Sequence, residues 1–157
     1  MCATPMQWSA NGHWYQLNPT GLSWADAKAA AEASSYDCMT GHLVTITSAE
    51  ENAWLYSTFG SQLTNPFHWI GAYQSDPMLL DTGWAWVTGE KWDYTNWTED
   101  EPDDYFATNP PAFKYENVVH FYPEEGSGWA DTVDDLKFPS VIEYEPVQAK
   151  AETYYGT

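Results

Sequence analysis

Acidic residues are crowded into one part of this chain. Fifteen of its 23 carboxylate side chains fall between Glu90 and Glu145, where only Lys91, Lys114 and Lys137 oppose them. The densest stretch holds Glu101-Pro102-Asp103, and Glu116 and Gly128-Trp129-Ala130-Asp131 follow it. Carboxylates gathered this way repel one another unless water or a shared cation screens them. A solubilising acidic surface would account for the number of acids, whereas cation binding also accounts for their clustering. Oxygen donors with neither Cys nor His among them suit a hard cation such as Ca²⁺ better than zinc or copper.

The net charge of −18, with five lysines and no arginine, excludes a nucleic-acid partner, because such a surface repels a phosphate backbone. At 157 residues the chain fits one domain with a sizeable core, and ten Trp, eleven Tyr and six Phe give that core large rings to pack. No apolar run approaches the roughly 20 residues of a membrane-spanning helix. Met1-Cys2-Ala3-Thr4-Pro5 lacks the charged segment and apolar core of a leader, which is compatible with a piece cut from a larger secreted protein. Two cysteines, Cys2 and Cys38, cannot make a disulfide framework, and a single bridge and two free thiols both stay open.

Along the chain, 13–17 reads as a first strand and Asn18-Pro19-Thr20-Gly21 as a turn. Ser23 with Asp26 opens a helix to about residue 35, with Trp24, Ala27, Ala30 and Ala31 on one side, a small-residue face able to pack closely on a sheet. Residues 41–46 read as extended. Ser48 with Glu51 opens a second helix carrying Trp54, Leu55 and Phe59 before Gly60. Strands are expected over 68–73, 84–87, 116–122 and 140–145, with long polar loops between them. The connection over 92–115 is too long for an ordinary loop and points to function. The domain is expected over 13–145, between an N-terminal segment 1–12 and a tail 146–157 that leads towards a neighbouring module.

Taken in order, these fragments resemble a C-type lectin-like domain, of a bacterial or viral rather than an animal type. Ser23-Trp24-Ala25-Asp26-Ala27 is similar to the family's first helix, and Gly41-His42-Leu43-Val44-Thr45-Ile46 with Glu50-Glu51-Asn52 to the entry of its second. Trp69-Ile70-Gly71-Ala72, Gly83-Trp84-Ala85-Trp86-Val87-Thr88-Gly89, Asn96-Trp97, Glu101-Pro102-Asp103, Glu116-Asn117, Trp129-Ala130-Asp131 and Val141-Ile142-Glu143-Tyr144-Glu145 follow in the family's order. The resemblance implies an α+β fold, with two helices packed on antiparallel sheets and a long calcium-binding loop region. It also shows a departure: where animal members place disulfide cysteines, this chain has Ala31, Val118, Asp134 and Ile142.

Carried over by position, the resemblance implies Ca²⁺ ligands at Glu101, Asp103, Glu116 and Asp131, and a cis Glu101–Pro102 bond that turns both flanking side chains towards one point. A second calcium site is implied at Asp104 and Asn117, with Asp76 or Asp81 approaching from the preceding loop. Ala130 stands where the family usually has Asn, so one oxygen ligand and one amide donor are missing. The same four acids would meet a sugar, with Tyr105 and Phe106 offering rings for stacking, while Trp97 reads as core. Glu101 resembles the fucose and mannose type and Asp103 the galactose type. The four histidines read as structural.

The implied function is calcium-dependent binding of glycans on cell surfaces, in an extracellular or surface-attached adhesin of several domains. A lectin-like module that binds protein, peptide or ice is the alternative, favoured by the missing ligand at Ala130. An enzyme is not expected, since the chain has no His-Glu-x-x-His, nucleophile elbow or phosphate loop.

Overall fold

The computed structural model describes residues 4–60, 67–105, 114–122 and 126–147. Its centre is strand β9 (Phe138–Tyr144), the chain's closing strand, which is buried almost throughout. Successive side chains on a strand face opposite ways, and here each direction meets a different apolar layer. Val141 packs with Tyr15, Leu17, Leu55 and Phe59, whereas Ile142 and Tyr144 pack with Ala27, Ala31, Leu43 and Trp69. One layer carries helix α1 (Trp24–Glu32) and the other helix α2 (Ala49–Phe59), as expected of two helices packed on a sheet.

Strand β2 (Trp14–Leu22) pairs with β9 on one side, setting Tyr15 opposite Glu143 and Leu17 opposite Val141. Beyond β2 lies β1 (Met6–Gln7), so the 1–12 segment contributes an edge strand, and its Trp8 stacks on Trp54 of α2 at 6.1 Å. On the other side the order continues through β5 (Trp69–Gln74), β7 (Val118–Tyr122) and β8 (Gly128–Thr132). Strand β6 (Trp84–Trp86) pairs with β5, β4 (Met39–Leu43) with β9, and β3 (Ser35–Tyr36) with β4. Among the described residues, every strand pairing is antiparallel except that of β5 with β9, where Trp69 lies opposite Ser140. Gly71 lets β5 lie close against residues 43–44: a Cβ there would come within 2.7 Å of the Leu43 carbonyl oxygen.

Both helices begin where the serines predict. Ser23 Oγ accepts from Asp26 N at 3.3 Å, and Ser48 Oγ accepts from Glu51 N at 3.1 Å. Glu51 does not close a box on Ser48, however. Its carboxylate accepts from Thr47 N at 2.9 Å and from the Tyr15 hydroxyl at 2.6 Å. Helix α1 stops at Glu32, short of residue 35, because Ser34 Oγ caps the Ala30 carbonyl and Ser35 turns into β3.

Packing takes the place of the family's disulfides. Ala31, Val118 and Ile142 share one buried apolar cluster, and exposed Asp134 accepts the Trp24 backbone N–H on its carbonyl at 3.1 Å. Cys38 is exposed, and Cys2 lies outside the described residues. A second aromatic group gathers Trp84, Trp86, Trp92, Trp97 and Trp129, with centroid separations down to 4.7 Å. Such pairs add about 0.5–1.5 kcal/mol each beyond their burial.

His120 sets the acid response of this core. Its ring is buried among Phe67, Trp69, Tyr122 and Phe138, and burial lowers its pKa from 6.5 to about 4. Between those values the unfolded chain takes up a proton that the folded one refuses, so stability falls as pH drops through this window. The loss amounts to roughly 3 kcal/mol at its full extent. In His120→Phe the melting temperature should decline less between pH 6.5 and 4 than in the wild type. Parallel declines in the two proteins would show that His120 does not control this range.

Candidate functional site

The acidic site is built on the end of β8. Residues Asn96 to Thr98 run beside this strand and are tied to it by Trp129 N to Asn96 O and Thr98 N to Trp129 O, both 2.9 Å, with Trp97 in a parallel bridge to Trp129. Gly128 permits the approach, since a Cβ there would fall 2.3 Å from Thr98 Cγ2. Asn96 gives its side-chain N–H to Ser127 O at 2.9 Å, so its amide serves the fold. Glu101 N then bonds Thr98 O at 3.2 Å, and the Glu101–Pro102 bond is cis, as expected. Asp100 and Asp104 bracket this turn with positive φ of 66° and 49°, a region that Asp tolerates better than most residues.

Asp131 is the hub. Its Oδ1 accepts from Asp103 N at 3.1 Å and its Oδ2 from Asp104 N at 3.2 Å, which fixes the loop against β8. Two sets of carboxylate oxygens converge on it, each within 4.8 Å of one another: Glu101, Asp103 and Asp131, and Asp104, Glu116 and Asp131. Asp104 also accepts from Glu116 N at 2.6 Å. Asp104, Glu116 and Asp131 are 1, 3 and 4% exposed, and Asp103 is open to solvent. Five carboxylates thus lie in two sets that share Asp131.

The electrostatic consequence is plain. Burial, followed by a hydrogen bond and repulsion from Asp131, raises the pKa of Glu101 well above the carboxylate range. Burial likewise raises Asp131 and Asp104, partly offset at each by backbone N–H donors. Glu101 Oε2, Asp104 Oδ2 and Asn117 Oδ1 are buried without a hydrogen-bond donor among the described residues. Buried oxygens of this kind are costly unless something binds them, and a hard dication is the species that suits them.

Of Glu101, Asp103, Glu116 and Asp131, read from sequence as one set, Glu101, Asp103 and Asp131 come together, whereas Glu116 groups with Asp104 and Asp131. Asp76 and Asp81 are exposed in the β5–β6 connection and enter neither set; Asp76 instead accepts from Met78 N at 3.0 Å. Tyr105 is exposed beside the site, its N–H donating to Asp103 Oδ1 at 2.9 Å. Phe106 lies outside the described residues. Trp97 packs on Trp84, Trp92 and Trp129 and belongs to the core. Ala130 is buried, pairs with His120 across β7 and β8, and contributes only a methyl group.

This fold and acidic loop define a class of binding domain rather than a catalytic cleft. Residues 20–140 match the Lectin C-type domain family, and the chain belongs to it. Halomucin of Haloquadratum walsbyi is 26% identical over 147 residues, covering 85% of this chain and 1% of its own length. Human C-type lectin domain family 10 member A is 29% identical over 142 residues, covering 89% of this chain and 39% of its own. The chain thus spans well under half the length of both relatives. The crystal structure of the C-type lectin CEL-I from Cucumaria echinata superposes with a TM-score of 0.72 at 23% identity, over 90% of this chain and 96% of that one, so the fold is shared. Members of this family are non-enzymatic binding modules.

Proposed function

We propose that this domain binds carbohydrate in a calcium-dependent way, favouring fucose- or mannose-type sugars, and serves adhesion in a larger secreted or cell-surface protein. Two sets of carboxylates that share Asp131, one with Glu101 and Asp103 and one with Asp104 and Glu116, carry this reading. The donor set fits calcium: all oxygen, largely buried, and including oxygens with no donor of their own. Asp131 with Glu101 and Asp103 would hold one ion, and Asp131 with Asp104 and Glu116, beside Asn117, a second. Calcium, when bound, supplies positive charge and coordination positions for sugar hydroxyls.

Around the ion the residues set the sugar's orientation. Ionised Glu101 and Asp103 can only accept protons from hydroxyls, and Ala130 removes the amide donor. Exposed Tyr105 offers a ring to the apolar face of a sugar. The small share of halomucin and of the human relative that the chain covers supports a multidomain parent, with the unit over 13–145 extended by the β1 edge strand and 146–157 leading to its neighbour.

Binding to mannan- and fucose-bearing surfaces should require calcium, vanish in EDTA, and be competed by free mannose or fucose more strongly than by galactose. The missing oxygen at Ala130 favours a second reading, a lectin-like module for protein, peptide or ice. Binding that survives both chelator and monosaccharides would select that one.

A further inference from the structure

A second cluster of metal-ligating side chains shares no residue with the acidic loop. It forms where β2, β9 and β4 run side by side. Tyr15 on β2, Glu143 on β9 and His42 on β4 are in register, so their side chains project to one face of the sheet. His13 and Glu145, each two residues along from these strand positions, project the same way. One His13 nitrogen and one carboxylate oxygen each from Glu143 and Glu145 lie within 4.8 Å of one another.

We infer that His13, Glu143 and Glu145 form a binding site for a divalent transition-metal ion, Zn²⁺ in the first instance. An imidazole nitrogen with two carboxylates is a donor set that suits zinc and is poor for calcium, and three protein ligands leave a fourth position for water. Ligand atoms around tetrahedral zinc stand roughly 3.3–3.5 Å apart, given bonds of about 2.0–2.2 Å. His13 Nδ1 and Glu143 Oε1 are 2.7 Å apart and need only separate slightly. Glu143 is 1% exposed and immobile, while His13 and Glu145 are 26 and 42% exposed, free to adjust and open to an entering ion.

The surrounding groups hold this geometry. Glu143 Oε2 accepts from Thr45 N at 2.9 Å, and the Tyr15 hydroxyl reaches Oε1 at 3.4 Å. His42 is not a ligand. Its Nδ1 lies 2.7 Å from the Leu43 carbonyl oxygen and its Nε2 3.1 Å from Glu145 Oε1, so the ring positions Glu145. Such outer partners commonly matter about tenfold or more for metal affinity.

The test is calorimetric titration of Zn²⁺ into chelator-stripped protein with alkylated cysteines, under saturating calcium. One equivalent should bind at micromolar or tighter affinity. His13→Gln keeps a side-chain donor for Glu143 but has no ring nitrogen; it and Glu145→Gln should each weaken zinc by about tenfold or more, with the response to calcium unchanged. His42→Gln should weaken it by about tenfold through Glu145. If His13→Gln failed to fold by circular dichroism, the half-exposed Glu145→Gln would decide alone. Absence of zinc binding, undiminished binding in the ligand variants, or displacement by calcium, which would put zinc in the acidic loop, each overturns the assignment.

Discussion

Millimolar calcium should raise the melting temperature of this domain by about 5–10 °C over its value in EDTA. A ligand that binds only the folded state adds RT ln(1 + [L]/Kd), or about 2.7 kcal/mol at a hundredfold excess over Kd. For a chain of this length each kcal/mol corresponds to about 2–4 °C. The metal-free site has much to gain, since Glu101, Asp104 and Asp131 are all pushed above their ordinary pKa, first by burial and then by neighbouring carboxylates, Asp103 among them at each. That shift fixes the pH dependence. A carboxyl with a raised folded pKa stabilises the metal-free fold fully below its unfolded value, and the benefit is lost as pH rises through the folded value. Calcium must displace these protons, so its effect should be largest at neutral and alkaline pH and fade towards pH 4. Superimposed melting curves in calcium and EDTA at pH 8 would sink the metal reading.

The parts of the fold that were legible in the sequence are those with local causes. Ser23 and Ser48 each precede an acidic third helical residue, and both cap as expected. Strands β5, β7 and β9 announce themselves by aromatic and β-branched runs. Strands β1 and β3 have two residues each and too little length for any period. The place of the Glu51 carboxylate is set by Tyr15, 36 positions away, as well as by Thr47 beside the helix start, and only the second of these is local.

The acidic site divides in the same way. Its members were readable because they follow a known order, but the role of Asp131 as the residue common to both carboxylate sets was not. That role depends on the backbone turning back on itself through Asp100 and Asp104. Asp76 and Asp81 looked equally suitable by composition, yet their loop directs them to solvent. His13 and Glu143 meet across 130 positions, and only the strand register brings them together. The one sequence signal was a pair of acids two residues apart, Glu143 in the mostly apolar closing strand and Glu145 just past its end.

Asp131 should therefore be the most sensitive position in the chain for calcium. Asp131→Asn removes the charge shared by both carboxylate sets while keeping an oxygen for one of the two backbone N–H groups it now receives. Calcium affinity is expected to fall by about a hundredfold, equivalent to about 2.7 kcal/mol, and calcium-dependent sugar binding should disappear with it. Asp131→Ala should do the same and also leave the Asp103 and Asp104 N–H groups without their acceptor, a penalty of about 1–3 kcal/mol where they are buried. In the metal-free protein at neutral pH that penalty is opposed by relief of repulsion from Asp103, so both variants should fold. Asp93→Asn makes the same charge change at an exposed residue whose ion pair with exposed Lys91 spans 3.3 Å, and surface pairs of this kind contribute little. Calorimetry with calcium on the three variants separates the two causes. Comparable losses in Asp93→Asn and Asp131→Asn would mean that calcium responds to the overall negative field, and the meeting of four other carboxylates at Asp131 would have no special role.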